Sequence, residues 1–162
     1  MKVQKDAIGK EIKKIYAKAD LIKVCPVELR DNGLNRTNSN MAIREYNYGP
    51  LNPDQPSTDF WKAKARVWDS SVEEAKSSRC CNCAAFVQTP AMIACLVEGL
   101  ETMDEDELTE KPGEEAAEEG TAEFDARTKI VQNADLGYCQ LFHFRAMGER
   151  TCNAWLVGGP IT

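Results

Sequence analysis

Apolar residues recur at helical spacing near the start of the chain: Ile8, Ile12, Ile15, Ala19 and Ile22 follow at intervals of four, three, four and three. Such intervals place one stripe on one face of a helix, with lysines opposite. Residues 1 to 23 are therefore expected to form a basic amphipathic helix whose stripe rests on a core. The pattern then lapses. Between Asp31 and Pro56 the stretches DNGLNRTNSN and YGPLNPDQP are rich in Asn, Gly and Pro, which favour turns, and they predict loop with at most short strands. Periodicity returns in STDFWKAKARVW, where Phe60, Trp61, Ala65 and Trp68 share one side and Ser57 or Thr58 is placed to cap the first turn. Ser70-Ser71-Val72-Glu73 has the look of a capping box and predicts a second helix running toward the cysteines that follow. TPAMIACLVEGL, with Pro90 in the first turn, predicts another short helix with Cys95 on its apolar side.

Composition bounds the picture without naming a function. At 162 residues and 43% hydrophobic, the chain is long enough for one core-bearing domain with elaborations. Charge is unevenly placed. Residues 1 to 23 hold seven Lys against three Asp and Glu, a net of +4. Residues 98 to 119 hold eleven Asp and Glu against one Lys, a net of −10. The run ETMDEDELTEKPGEEAAEEG is expected to be an exposed, mobile insert spanning about 98–120. The overall charge of −6 argues against a protein that grips nucleic acid by neutralising phosphates. No apolar run approaches the roughly 20 residues of a membrane span, and the first residues lack the apolar core of a signal peptide. A cytoplasmic location, or membership of an assembly such as a virion, is the expectation.

Seven cysteines complete the inventory. With no export signal in view they read as reduced thiols or metal ligands rather than bridges, and Cys25 and Cys95 read as small core residues. The cluster SSRCCNCAAFVQ allows a Cys-x-x-Cys reading through Cys80 and Cys83, with Cys81 as a bystander. Cys139 and Cys152 follow far downstream, with twelve residues between them. A zinc ribbon needs a second close pair, and a Rieske centre needs two histidines where this chain has only His143. A haem attachment needs His after the second cysteine, and Ala84 stands there. A thioredoxin-type pair at Cys80 and Cys83 stays open, although the expected strand–helix unit is not evident around it. His143 reads as a hydrogen-bonded or surface side chain.

The flanks carry a resemblance. Cys80, Asn82, Cys83, Phe86 and Gln88, then Gly137, Cys139, Gln140, Leu141 and Phe142, and finally Cys152 and Trp155, resemble the pattern of the high-potential iron–sulfur proteins. The similarity spans residues 78–90 and 135–160. The chain departs from the family's pattern in the 55 residues between Cys83 and Cys139 and in an N-terminal region, residues 1–77, without a counterpart. The aromatic that the family supplies early in the chain has only Tyr46 and Tyr48 as candidates. The resemblance implies a region 78–162 that binds one [4Fe–4S] cluster through Cys80, Cys83, Cys139 and Cys152. Phe86, Tyr138, Leu141, Phe142 and Trp155 would form the apolar jacket, helped by Phe144. The fold expected is a small, irregular α+β one, with short helices and a few short strands wrapped around the cluster.

The chemistry agrees with that implication. Four thiolates on a [4Fe–4S]²⁺ core carry a net −2, and oxidation to the 3+ level leaves −1. Burial penalises the larger charge, so an apolar site favours the 3+/2+ couple. One-electron transfer with a redox partner protein is the function expected, with the acidic insert and the basic helix available to orient that partner. A second reading is a structural or assembly protein in which the cluster is a staple. No nucleophile–base pair, phosphate loop or carboxylate dyad stands out, so neither an enzyme nor a small-molecule substrate is expected.

Overall fold

The computed structural model of the chain describes residues 25–52, 54–107 and 122–162. The basic stripe expected over residues 1 to 23 lies outside them, as does the later part of the acidic run. The described residues form a small α+β fold. In chain order they give α1 (Val27–Arg30), α2 (Asn32–Tyr46), α3 (Thr58–Trp68), α4 (Val72–Ser77) and a 3-10 turn (Cys80–Asn82). There follow β1 (Phe86–Val87), α5 (Pro90–Glu107), α6 (Ala122–Asn133), β2 (Leu136–Cys139) and β3 (Phe144–Met147). No described helix is long and apolar enough to cross a membrane.

Helix α2 overturns the loop expected between Asp31 and Pro56. Asp31 caps it by accepting from the Leu34 N–H at 2.9 Å, and Asn47, in the left-handed conformation at φ 50°, ends it. The asparagines that suggested turns have a tertiary use instead. Asn35 Oδ1 accepts from the Arg145 N–H at 2.8 Å, Asn32 Oδ1 accepts from the Arg145 guanidinium, and Asn38 Nδ2 donates to the His143 carbonyl. One polar face of α2 therefore serves strand β3 and the turn before it. Local turn propensity loses to bonds that exist only once the sheet is in place.

Helix α3 forms as expected, but Ser57 does not cap it by its side chain: its backbone is left-handed, at φ 46°, and it makes no capping bond. Helix α4 begins with a true capping box one residue on from the expected one. Ser71 Oγ accepts from the Glu74 N–H, and the Glu74 carboxylate accepts from the Ser71 N–H. Helix α5 starts at Pro90 but runs on to Glu107, so the first part of the acidic run is helical and not an insert loop. Glutamate is a good helix former.

Cys25 and Cys95 are not free core thiols. They are joined in a disulfide with Cα atoms 5.4 Å apart and a sequence separation of 70. The bridge fixes α1 to α5, and Gly99 lets the two meet: a Cβ there would overlap the Leu29 carbonyl oxygen. Neither the spacing nor the apolar pattern reveals that approach, because a packing of two helices creates it.

The sheet runs β1-β2-β3, antiparallel throughout. Phe86 pairs with Cys139 and Cys139 with Phe144, while Val87 pairs with Tyr138 and Tyr138 with Arg145. Side chains alternate across a strand, so the sheet divides two cores. Phe86, Phe144, Ala146 and Cys139 face one, which also takes Cys80, Cys83 and Cys152. Val87, Leu136 and Tyr138 face the other, against Leu29, Met92, Cys95 and Leu96. A third, smaller cluster joins α3 to α4 through Trp61, Ala65 and Ala75.

Candidate functional site

Three chain segments bring four cysteines together. The first is the 3-10 turn, where the Cys80 N–H donates to the Arg150 carbonyl at 2.7 Å and the Cys83 N–H to the Cys80 carbonyl at 2.8 Å. Asn82 holds that turn shut: its Oδ1 accepts from the Arg79 N–H at 2.9 Å, and its Nδ2 donates to the Ser77 carbonyl at 2.6 Å. The second is the end of β2, which carries Cys139. The third is the segment after β3, where the backbones of Thr151 and Gly49 exchange two hydrogen bonds and Cys152 follows.

Cys80, Cys83, Cys139 and Cys152 line a single apolar cavity. Phe86, Leu141, Phe142, Phe144 and Trp155 line it too. Tyr48, Ala85 and Ala146 complete the wall. Space not filled by protein atoms amounts to about 360 Å³, part of it continuous with solvent, and the centre of a water-sized sphere can range over about 20 Å³ of it.

Tyr138 is not part of this wall. As the strand neighbour of Cys139 it points to the opposite face of the sheet, where its hydroxyl lies 3.2 Å from Glu28 Oε2 and 2.9 Å from His143 Nδ1. An aromatic beside a cysteine in sequence is thus directed away from it by the two-residue period. His143 is engaged in that hydrogen bond. Cys81, next to two lining cysteines, is half-buried outside the cavity wall.

Two further residues bear on the site. Tyr48 was one of two candidates for an early aromatic. It is buried against Phe144 with ring centroids 5.0 Å apart, and its hydroxyl accepts from the Met147 N–H at 2.8 Å. Its neighbour in that choice, Tyr46, packs against the Phe142 ring with centroids 4.4 Å apart and the ring planes tilted by 40°. Lys64 is the second. It lies in the aromatic stripe of α3, four residues from both Phe60 and Trp68, and that placement was the available signal. Its side chain is fully buried.

Burial dominates the electrostatics. It pushes the thiol of Cys139 up to about 12 and raises those of Cys80 and Cys83, with the other sulfurs adding to the rise at Cys80. Tyr48 is raised by the same cause. Working the other way, backbone N–H groups of Ala85 and Leu156 favour an ionised Cys83, and those of Phe142 and Leu141 an ionised Cys139. The Leu156 N–H lies 3.4 Å from Cys83 Sγ. Such donors are the partners that metal-bound thiolates use.

Among the described residues, no group of three or more His, Cys, Asp and Glu is set to hold a metal ion. Thiolates on one tetrahedral zinc would stand roughly 3.8 Å apart, whereas in a four-iron core each thiolate meets a different iron. The donor set, all sulfur in an apolar wall with N–H groups at two sulfurs, has the chemistry of a four-thiolate site, and that chemistry is shared by a four-cysteine zinc and a four-iron core. Comparison of the chain with protein-family models, curated proteins and solved structures found no match.

Proposed function

We propose that the chain is an iron–sulfur protein in which Cys80, Cys83, Cys139 and Cys152 hold one [4Fe–4S] cluster, and that it passes single electrons between partner proteins. The observation behind this reading is the convergence of those four thiols, from three separate segments, on one cavity without polar lining. When bound, the cluster supplies the one-electron 3+/2+ step, with one electron taken from a reduced donor protein and handed to an oxidised acceptor. The residues have the other tasks. Phe86, Phe142, Phe144 and Trp155 keep water from the sulfurs, and the N–H groups of Leu156, Phe142 and Leu141 offset part of the thiolate charge. Trp155 is fixed by donating its indole N–H to the Arg79 carbonyl at 2.8 Å, which ties the last segment to the Cys-x-x-Cys turn.

The raised thiols count against a disulfide-exchange function for Cys80 and Cys83. A reactive cysteine is partly exposed with a lowered pKa, and burial does the opposite here. A structural use of the same cluster is the second reading. It is favoured by the way the cysteines join segments far apart in sequence, in a fold that also has the Cys25–Cys95 bridge. That bridge favours oxidising surroundings over a reducing cytosol.

Anaerobic purification with iron and sulfide quantitation, and electron paramagnetic resonance of the oxidised sample, tests the proposal. About four irons per chain and a signal from the oxidised cluster are expected. A folded, colourless, iron-free protein after reconstitution with iron and sulfide rejects it. Reversible redox titration separates the readings: an electron carrier cycles intact, and a staple unfolds when its cluster changes state.

A further inference from the structure

Lys64 on α3 presents an unusual combination. Its side chain is completely buried, and its three hydrogen bonds go to uncharged oxygens: Asn153 Oδ1 at 2.6 Å, the Asn47 carbonyl at 2.8 Å and the Tyr46 carbonyl at 3.3 Å. An ammonium has three donors and no acceptor, so this ring of acceptors fits the charged form. The rings of Phe60 and Trp68 lie 5.0 and 5.8 Å from Nζ. A buried cation without an anion at its head is costly unless a compensating charge lies within reach. Burial pulls Lys64 down to about 8, and the sulfurs of Cys152 and Cys80, when ionised, oppose that fall. Its anchors also adjoin the site: Asn153 follows Cys152, and Asn47 precedes Tyr48.

We propose that Lys64 is the built-in counter-charge of the four-cysteine site, and that its ammonium favours the more negative state of the bound cluster. The inference rests on the iron–sulfur reading above. A fixed positive charge interacts more strongly with the reduced site at −2 than with the oxidised site at −1, so it raises the reduction potential. Lys64 acts through the charge it holds and through Asn153, as a positioning residue and not as a ligand.

The test compares wild type, Lys64→Gln and Lys64→Arg, each reconstituted with iron and sulfide and titrated at an electrode. Lys64→Gln keeps a donor and removes the charge. At fixed ambient potential its reduced-to-oxidised ratio should fall by about tenfold, which is about 59 mV for one electron. Lys64→Arg should restore the wild-type ratio. If Lys64→Gln loses iron while Lys64→Arg keeps it, a requirement for the charge is again supported. A fully loaded Lys64→Gln with the wild-type potential overturns the proposal, as does loss of iron in both variants, which would leave Lys64 a shape-specific tether. Absence of iron from the wild type rejects the iron–sulfur reading itself, a result distinct from any of these.

Discussion

The ring of Phe86 lies over Gly137, in the space that a Cβ on residue 137 would occupy. The two are diagonal neighbours across β1 and β2, because Phe86 pairs directly with Cys139 two residues further on. The absence of a side chain at 137 lets an aromatic lie flat beside a cavity cysteine.

Gly137→Ala is expected to displace that ring. Overpacking of this kind costs about 1–3 kcal/mol, so the urea midpoint should fall and iron loading should weaken. The cost should shrink in a Phe86→Leu background, since contacting residues do not add independently. Equal effects in both backgrounds would mean that the ring is not what the new methyl meets.

The four lining cysteines and the bystander should separate cleanly. Cys80→Ala, Cys83→Ala, Cys139→Ala and Cys152→Ala are each expected to abolish visible absorbance and drop the iron count. Cys81→Ala, outside the cavity wall, should leave both intact. Full absorbance in Cys139→Ala would refute the ligand set.

The disulfide closes a separation of 70 residues. Loop-closure entropy gives such a bridge about 4 kcal/mol, which for a chain of this size is roughly 10 °C in Tm. Cys95→Ser should show that loss in calorimetry while keeping its iron, because Cys95 packs in the core on the far side of the sheet from the cavity. Loss of iron in parallel with Tm would show that the two cores are coupled.

Cys139 should make the metal-free protein less stable at alkaline pH than its Cys139→Ala variant. Burial raises the Cys139 thiol from 9.0 to about 12. Between those values the folded chain keeps a proton that the unfolded chain has lost, and stability therefore declines as pH rises. From Cys139 alone the loss at pH 10.5 is on the order of 2 kcal/mol, with Cys80 and Cys83 acting in the same direction and Lys64, which burial lowers to about 8, acting in the opposite one. Urea midpoints of the metal-free form at pH 8 and 10.5 measure it. A slope unchanged in Cys139→Ala would assign the effect elsewhere.

Much of the cavity's lining was legible in the chain itself. The four cysteines and the apolar residues Phe86, Leu141, Phe142 and Trp155 are set by residue type and by short-range spacing, and helices α3, α4 and the start of α5 follow from periodicity and first-turn residues. Local patterns of that kind act within a few residues, so they can be read without knowing the fold. Everything that depended on meeting a distant segment had to wait for the tertiary structure. Asn32, Asn35 and Asn38 looked like turn formers until Arg145 and His143 came within bonding range. Cys25 and Cys95 looked like separate thiols until two helices met at Gly99. The register of β2 sent Tyr138 away from the cavity and Cys139 into it, and the fold of α3 against the last segment buried Lys64. Residue type decides which chemistry is available to a chain, but orientation and distance, which single-chain patterns do not encode, decide which groups share a site.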